Sequence, residues 1–501
     1  MKGLRNREAI ERAPLIEETY TSLSPLEIFE LFYNKPHSFF LDSGLKVNRL
    51  GRYSFIGSDP FLVLKSWGKR IEVTENSHPS HIIGDPFDIL ATLVSRYRLS
   101  TPTGLPPFLG GAVGYFGYDL CHFIEELPSR SKDDLDIPDC YIAFYDTVIA
   151  HDHLMRKTWI ASSGFPEEYE DRARKKAKEK ISELGYILSK VVSQDPILQE
   201  DTLEPSNVHT TSNFSKRGYI NAIIKAKEYI AAGDIYQVNL SQRFYAPLAI
   251  PPLELYKVLR KVNPAPFAGF LNWEEVKVLS SSPERFLRIS GREVETRPIK
   301  GTRPRGRNNL EDRLLSQELL ESKKDRAELI MIIDLERNDL GRVCEYGSVM
   351  VPELITLETY ATVHHLVSTV VGRLCPGKDH IDCLKACFPG GSITGAPKIR
   401  AMEIIDELEP TKRNVYTGSI GYIGFNQETD LDIVIRTMLF VRDNIYFQVG
   451  GGIVADSDPE KEYEETIHKA RALMEALTIR NPRSKYYQIQ NKSKIPNWKT
   501  F

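Results

Sequence analysis

The pattern of this chain predicts an α+β fold. Short β-like runs and amphipathic helical runs are mixed along it, they do not follow regular βαβ alternation, and turn residues separate neighbouring strands. The 501 residues are ample for a large core, and at roughly 150 residues per unit they suggest about three units.

The β-like runs come first. Ser38–Leu41, Tyr53–Ile56, Phe61–Ser66 and Tyr141–Ala150 read as strands, and the glycine-rich Gly110-Gly111-Ala112-Val113-Gly114-Tyr115 reads as one of the turns between them. Residues 1–191 make a first domain. Residues 192–212 are polar, carry Pro196 and Pro205 without sustained periodicity, and read as a linker. A second domain spans 213–480, and 481–501 form a basic, aromatic tail with no assigned function. In the second domain Ser215 is placed to cap a helix bearing Ile220, Ile223, Ile224, Ile230 and Ala231, which ends near Gly233. Tyr236 to Phe244 then alternates: Tyr236, Val238, Leu240 and Phe244 face one way, while Gln237, Asn239, Ser241 and Arg243 face a polar pocket. A long helix is expected over roughly Asn309–Leu335, and another from near Pro397 to just before Pro410. Strands at Leu431–Phe440 and Ile445–Val449 lead into Gly450-Gly451-Gly452, and a helix from about Pro459 to Leu477 closes the unit.

Composition narrows the function classes. A hydrophobic content of 41% with 27% charged residues describes a soluble globular protein. A net charge of −3 argues against a nucleic-acid or acidic-lipid binder. The basic block Arg172–Lys180 follows the acidic Glu167–Asp171, an order that complements a helix macrodipole and describes a solvated helix face. The six cysteines include no CxxC pair, which fits buried thiols in a reduced compartment, and Cys383 and Cys387 alone make no zinc site. The charged N-terminus lacks an apolar signal core, and no run reaches the ~18 apolar residues of a membrane span. A cytoplasmic location is therefore expected.

Several residue groups could carry chemistry. Lys300 sits in Arg297-Pro298-Ile299-Lys300-Gly301-Thr302-Arg303-Pro304-Arg305, on a tight turn after the strand-like Glu293–Thr296 and among arginines. Crowding by cations favours the neutral, nucleophilic amine, and Gly301 and Thr302 offer donors to a carboxylate. A solvent-facing basic turn fits the same residues. Glu462 and Glu465 are spaced i,i+3 on the last helix, and Glu328 lies mid-helix beside Leu329-Ile330-Met331-Ile332-Ile333. Together they would form an oxygen donor set suited to Mg2+; singly, each fits a surface or ion-paired role. Gly390-Gly391-Ser392-Ile393-Thr394-Gly395-Ala396-Pro397-Lys398 leads into a helix N-terminus, but Ala396-Pro397 breaks the spacing of a phosphate loop. Gly450–Gly452 either lets a ligand approach the backbone or marks a bulge. Arg436 ends a strand's polar face with Asp432, open to a ligand carboxylate or to an ion pair with that aspartate. Tyr416 and His365 fall in loop or helix positions.

Together these runs resemble the chorismate-binding enzyme family. The matching segments are GDIYQVNLSQRF (233–244), SSSPERF (280–286), RPIKGTRPRG (297–306), KDRAELIMIIDLERNDLGRV (324–343) and VHHLVS (363–368). FPGGSITGAPKIRAMEIIDELEP (388–410), YTGSIGY (416–422), DLDIVIR (430–436) and VGGGIVADSDPEKEYEET (449–466) follow, while FFLDSG (39–44) and PFLGGAVGYFGYD (107–119) match more weakly. Within the family the resemblance runs closest to the aminodeoxychorismate synthase component I branch. The anthranilate branch usually has Ala at the position of Lys300. The isochorismate and salicylate branches carry a water-activating lysine at the position of Gln237, so ammonia chemistry is implied here. One departure is Leu329, which follows Glu328 where the family often shows His or Asn.

The resemblance implies two packed antiparallel or mixed β-sheets flanked by helices. It implies amination of chorismate to 4-amino-4-deoxychorismate, a step toward p-aminobenzoate and folate, with anthranilate synthesis as the alternative. Mg2+ would be held by Glu328 and Glu465 with Glu462 nearby. Tyr416, Arg436, Gly450, Gly451, Gly452, Gly301 and Thr302 would bind the substrate's ring and enolpyruvyl carboxylate. Lys300 would be the nucleophile and Glu284 the general acid, with His365 as a further catalytic-site residue. No cysteine sits in a glutaminase context, so a separate glutamine amidotransferase is the implied ammonia source. Ser43, Arg52, Tyr53, Pro266, Phe267 and Ala268 loosely match a pocket in which relatives bind tryptophan, although core burial accounts for the same pattern.

Overall fold

The computed structural model describes residues 9–44, 50–191, 204–205, 208–248, 250–360 and 363–480. Two 12-stranded antiparallel sheets pack face to face. Phe39, Phe55, Leu271 and Val278 of one meet Val113, Tyr141, Ile420 and Tyr422 of the other in a buried core between them. Helices cover both outer faces. Pro86–Val94, Lys323–Gly341 and His380–Cys387 cover one sheet, and Pro25–Phe32, Glu170–Lys190, Pro252–Val262 and Pro459–Thr478 cover the other. The α+β fold with two packed sheets is therefore present. Among the described residues no helix is long and apolar enough to cross a membrane.

Each sheet runs through both halves of the chain. The first carries Ile299–Pro304 and Val363–Arg373 at one end, continues through Arg285–Ser290, Glu428–Ile433 and Ser419–Gly424, and passes through Gly111–Phe116 to Leu62–Trp67. The second carries Gln237–Pro247 and Asn444–Ile453 at one end and reaches Ser38–Asp42 and Tyr53–Gly57 beyond Phe267–Asn272. The expected linker lies largely outside the described residues, but its last two, Thr211 and Ser212, pair with Tyr245 and Phe244. The tail, 481–501, also lies outside them.

Local signals decide most boundaries. Ser215 caps helix Lys216–Ala231 by accepting the Gly218 N–H, and the helix opened by Pro459 runs to Thr478. Four expectations change. The expected helix over 309–335 is two helices, Asn309–Glu321 and Lys323–Gly341, because Ser322 leaves helical geometry and caps the second by accepting the Asp325 N–H. The glycine-rich 110–115 run is not a turn but most of strand Gly111–Phe116 in the middle of the first sheet. A Cβ at Gly114 would lie 2.0 Å from the Tyr141 carbonyl oxygen, so its lack of side chains permits close strand packing. The runs 141–150 and 431–440 each break into two strands, Cys140–Tyr145 with Thr147–Asp152 and Glu428–Ile433 with Thr437–Val441. In both cases the chain crosses from one sheet to the other at the break.

Candidate active site

The catalytic candidates gather where the ends of the two sheets meet under helices Lys323–Gly341 and Pro459–Thr478. Lys300 lies in strand Ile299–Pro304 opposite Leu366, not on a tight turn. The register slips between Lys300 and Thr302, and Gly301 takes a φ of 74° in the bulge. A Cβ there would come within 2.8 Å of Leu319 Cδ1 and 2.9 Å of Asp325 Cβ, so glycine is required both by conformation and by space.

The Lys300 ammonium donates to the Ser392 carbonyl at 2.9 Å. Burial pushes its pKa down, and Lys469 adds to that push, while Glu328, Glu284 and Glu465 pull the other way. The arginines beside it in sequence do not supply the crowding expected of them. Arg297 pairs with Glu358 at 2.7 Å, Arg303 with Glu318 at 2.9 Å and Arg305 with Asp312 at 2.7 Å. Glu284, only 5% exposed, follows strand Lys277–Ser282. Its carboxyl accepts the Ile299 N–H at 3.4 Å and hydrogen-bonds the Ser392 side chain, and burial raises its pKa. Ser392 thus bridges the amine and the acid.

His365 is neither in a loop nor in a helix. It lies in strand Val363–Arg373, 2% exposed, with Nδ1 3.0 Å from Thr302 Oγ1 and 3.5 Å from the Gly301 carbonyl. Burial first, then the Arg436 charge, lowers its pKa to about 3. A histidine depressed in the folded state contributes stability that is present above its unfolded pKa of about 6.5 and is lost as pH falls toward 3. The expected result is a neutral imidazole from pH 8 down to pH 5, read from its ring nitrogen NMR shifts; protonation near pH 6.5 would refute this burial.

Arg436 sits in the crossover between the sheets, at a φ of 51°. Its Nη1 donates to Asn263 Oδ1 at 3.4 Å, and burial alone shifts its pKa, downward. Among the described residues no carboxylate pairs with it: Asp432 lies back in strand Glu428–Ile433, accepts the Ile420 N–H at 3.0 Å and is pushed up by its own burial. Of the two readings open for Arg436, the ion pair with Asp432 is absent.

The glycine run is part of strand Asn444–Ile453, where Gly450, Gly451 and Gly452 pair with Ser241, Leu240 and Asn239. A Cβ at Gly450 would lie 3.1 Å from the Tyr416 hydroxyl, one at Gly451 3.3 Å from Glu462 Oε2, and one at Gly452 2.1 Å from Gln237 Nε2. The backbone is therefore bare where tyrosine, glutamate and glutamine converge. Tyr416 lies in the buried turn after Arg413. Glu462 accepts the Ser457 hydroxyl at 2.7 Å, Glu465 pairs with Lys469 at 2.8 Å, and Glu328 lies 3.9 Å from Lys324. Burial raises Glu328, with Asp325 and Glu465 adding to the rise, and burial followed by Glu465 raises Glu462. Among the described residues no group of three or more His, Cys, Asp and Glu side chains is placed to hold a metal ion. Glu328, Glu462 and Glu465 offer only the donor type, carboxylate oxygen, that a hard divalent cation takes.

The chorismate binding enzyme family model matches residues 46–475, across both sheets. The chain belongs to that family. It is 39% identical to anthranilate synthase component 1 of Acetivibrio thermocellus over 93% of this chain and 95% of that protein. It is 38% identical to aminodeoxychorismate synthase component 1 of Bacillus subtilis over 96% of this chain and 99% of that one. The crystal structure of anthranilate synthase component I from Streptococcus pneumoniae TIGR4 superposes with a TM-score of 0.75 at 31% identity, covering 91% of this chain and 99% of that chain.

In this chorismate-binding enzyme sequence reasoning missed two residues that touch the candidates. Ser392 stood inside a quoted glycine-rich run, but its bridging role depends on two strands far away in sequence. Lys469, which also donates to the Gly450 carbonyl at 2.9 Å, sits i,i+4 after Glu465, a spacing that could have identified it. The six residues expected at a tryptophan pocket line one cavity of about 1040 Å³ between the sheets. That cavity is lined by none of Lys300, Glu284 and His365. Within it Arg52 pairs with Asp152 at 2.7 Å and lies 4.8 Å over the Tyr53 ring.

Proposed function

We propose that this enzyme aminates chorismate with ammonia to 4-amino-4-deoxychorismate. The observation that carries the reading is Lys300, a half-buried amine held between a buried acid and a group of glutamates, on a pKa lowered by burial. The substrate's enolpyruvyl carboxylate would pair with Arg436, which has no acidic partner among the described residues. Its ring would lie over Gly450–Gly452 beside Tyr416. Glu328, Glu462 and Glu465 would hold Mg2+, which when bound supplies positive charge to the ring carboxylate.

The neutral Lys300 amine forms a bond to C2 as the ring's C1=C2 and C5=C6 double bonds move to C1=C6 and C4=C5 and the C4–O bond breaks, which leaves Nζ a secondary ammonium. Glu284, kept protonated by burial, gives its proton to the departing hydroxyl, which leaves as water. Ammonia then bonds to C4, both double bonds shift back, and the C2–Nζ bond breaks to release the neutral amine. The proton shed by the new C4 ammonium returns to Glu284. A separate glutamine amidotransferase would supply the ammonia.

Anthranilate synthesis is the second reading, since relatives of both names are about equally similar. The test uses the purified chain with chorismate, Mg2+ and an ammonium salt. Expected is p-aminobenzoate that forms only after an aminodeoxychorismate lyase is added, with no anthranilate fluorescence; lyase-independent anthranilate rejects the proposal. L-tryptophan added to the same assay tests the between-sheet cavity, where inhibition is expected and an unchanged rate at millimolar tryptophan argues against it.

A further inference from the structure

We infer that the buried Glu409–Arg413 pair is a positioning element of this active site, fixing from outside it the segments that carry the anchor of Lys300 and the ring-binding Tyr416. The inference rests on the proposed function for its catalytic meaning. Arg413 and Glu409 are 2% and 3% exposed. Every guanidinium nitrogen of Arg413 is engaged. Nε donates to Glu409 Oε2 at 2.9 Å, and Nη2 donates to Glu409 Oε1 at 2.7 Å and to the Asn239 carbonyl at 2.6 Å. Nη1 donates to the Ile393 carbonyl at 3.0 Å and to Thr417 Oγ1 at 3.2 Å. Glu409 Oε1 also accepts the Ser241 N–H at 2.9 Å and its hydroxyl at 2.7 Å.

Each acceptor adjoins a candidate group. Ile393 follows Ser392, whose carbonyl receives the Lys300 ammonium. Asn239 and Ser241 pair with Gly452 and Gly450. Thr417 follows Tyr416, and the Arg413 guanidinium lies 5.7 Å from the Tyr416 ring. The first half of the chain holds the same turn from behind. The Tyr118 ring lies 4.8 Å from the guanidinium, and Asp119 Oδ2 accepts the Asn414 N–H at 2.9 Å. A buried ion pair is a poor way to gain stability, because desolvation offsets most of its attraction. Five donors reaching three chain segments instead specify one arrangement, and the planar fork that does so has no equivalent in lysine.

The test compares Arg413→Lys with wild type. Lysine keeps the charge opposite Glu409 but cannot hold Asn239, Ile393 and Thr417 together. Displacing an anchored nucleophile by about 1 Å can cost about 100-fold. Expected is a fall in kcat of about 10- to 100-fold per folded enzyme, with KM for chorismate within about twofold and an unfolding midpoint within a few degrees. Unchanged kcat, or a loss explained wholly by unfolded protein, overturns the inference. Should Arg413→Lys fail to fold, Thr417→Val removes the Arg413 bond together with the bond that the Thr417 hydroxyl donates to the Tyr416 carbonyl at 2.6 Å, and is expected to lower kcat about threefold with a midpoint within a few degrees; unchanged kcat overturns it. A wild-type enzyme that leaves chorismate unconsumed defeats the proposed function instead. The brace is then read from the crystal structure of Arg413→Lys, or of Thr417→Val where only that variant folds: displacement of the Ser392 carbonyl and Tyr416 hydroxyl supports it, and both in place refutes it.

Discussion

Lys300→Ala is expected to abolish the covalent adduct and to lower formation of 4-amino-4-deoxychorismate by about 10³-fold or more, equivalent to about 4 kcal/mol of barrier. The fold should tolerate the change. The lysine's one hydrogen bond goes to a carbonyl, and removing an amine whose pKa is already lowered by burial relieves a desolvation cost. Intact-protein mass spectrometry on enzyme given chorismate and Mg2+ without ammonia should show a substrate-derived adduct on the wild type and none on the variant. Any residual turnover should drift toward anthranilate, because ammonia can then take the place of the lysine at C2. Wild-type rates of amination in the variant would sink the nucleophile assignment.

How much of this was legible follows the range of the forces involved. Ser215 and Pro459 set helix starts through neighbours a few residues away, and both helices begin where their sequence says. The spacing of Glu462 and Glu465 put them on one helix, and the structure brings both beside Gly451. Errors arose where distant strands decide. Strand-forming apolar residues flank Arg436 on both sides in 431–440, so nothing local reveals that the chain leaves one sheet and joins the other there. The same holds for the Lys300 run. Charge along the sequence suggested cationic crowding, but Glu358, Glu318 and Asp312 arrive from other elements and remove those charges. Burial and Lys469, neither visible in the local sequence, depress the amine instead.

The break at Arg436 also yields the second large prediction. A half-buried guanidinium without a carboxylate is costly to the empty enzyme, and its weak 3.4 Å bond to Asn263 returns little of that cost. Such a charge is retained where a ligand anion completes the pair. Arg436→Leu should therefore move stability and binding in opposite directions. Asn263 keeps its bond to Ser281 Oγ at 3.1 Å, and the positive φ is no worse for leucine than for arginine. The unfolding midpoint of the ligand-free protein should accordingly rise by a degree or two. KM for chorismate should rise by at least about 30-fold, since truncating one partner of a buried charge pair costs about 2–5 kcal/mol. Neutral His365, packed near Arg436, cannot replace its charge. A variant that is both less stable and unchanged in KM would mean that Arg436 serves the sheet crossover alone, and the carboxylate of the substrate would have to be bound elsewhere.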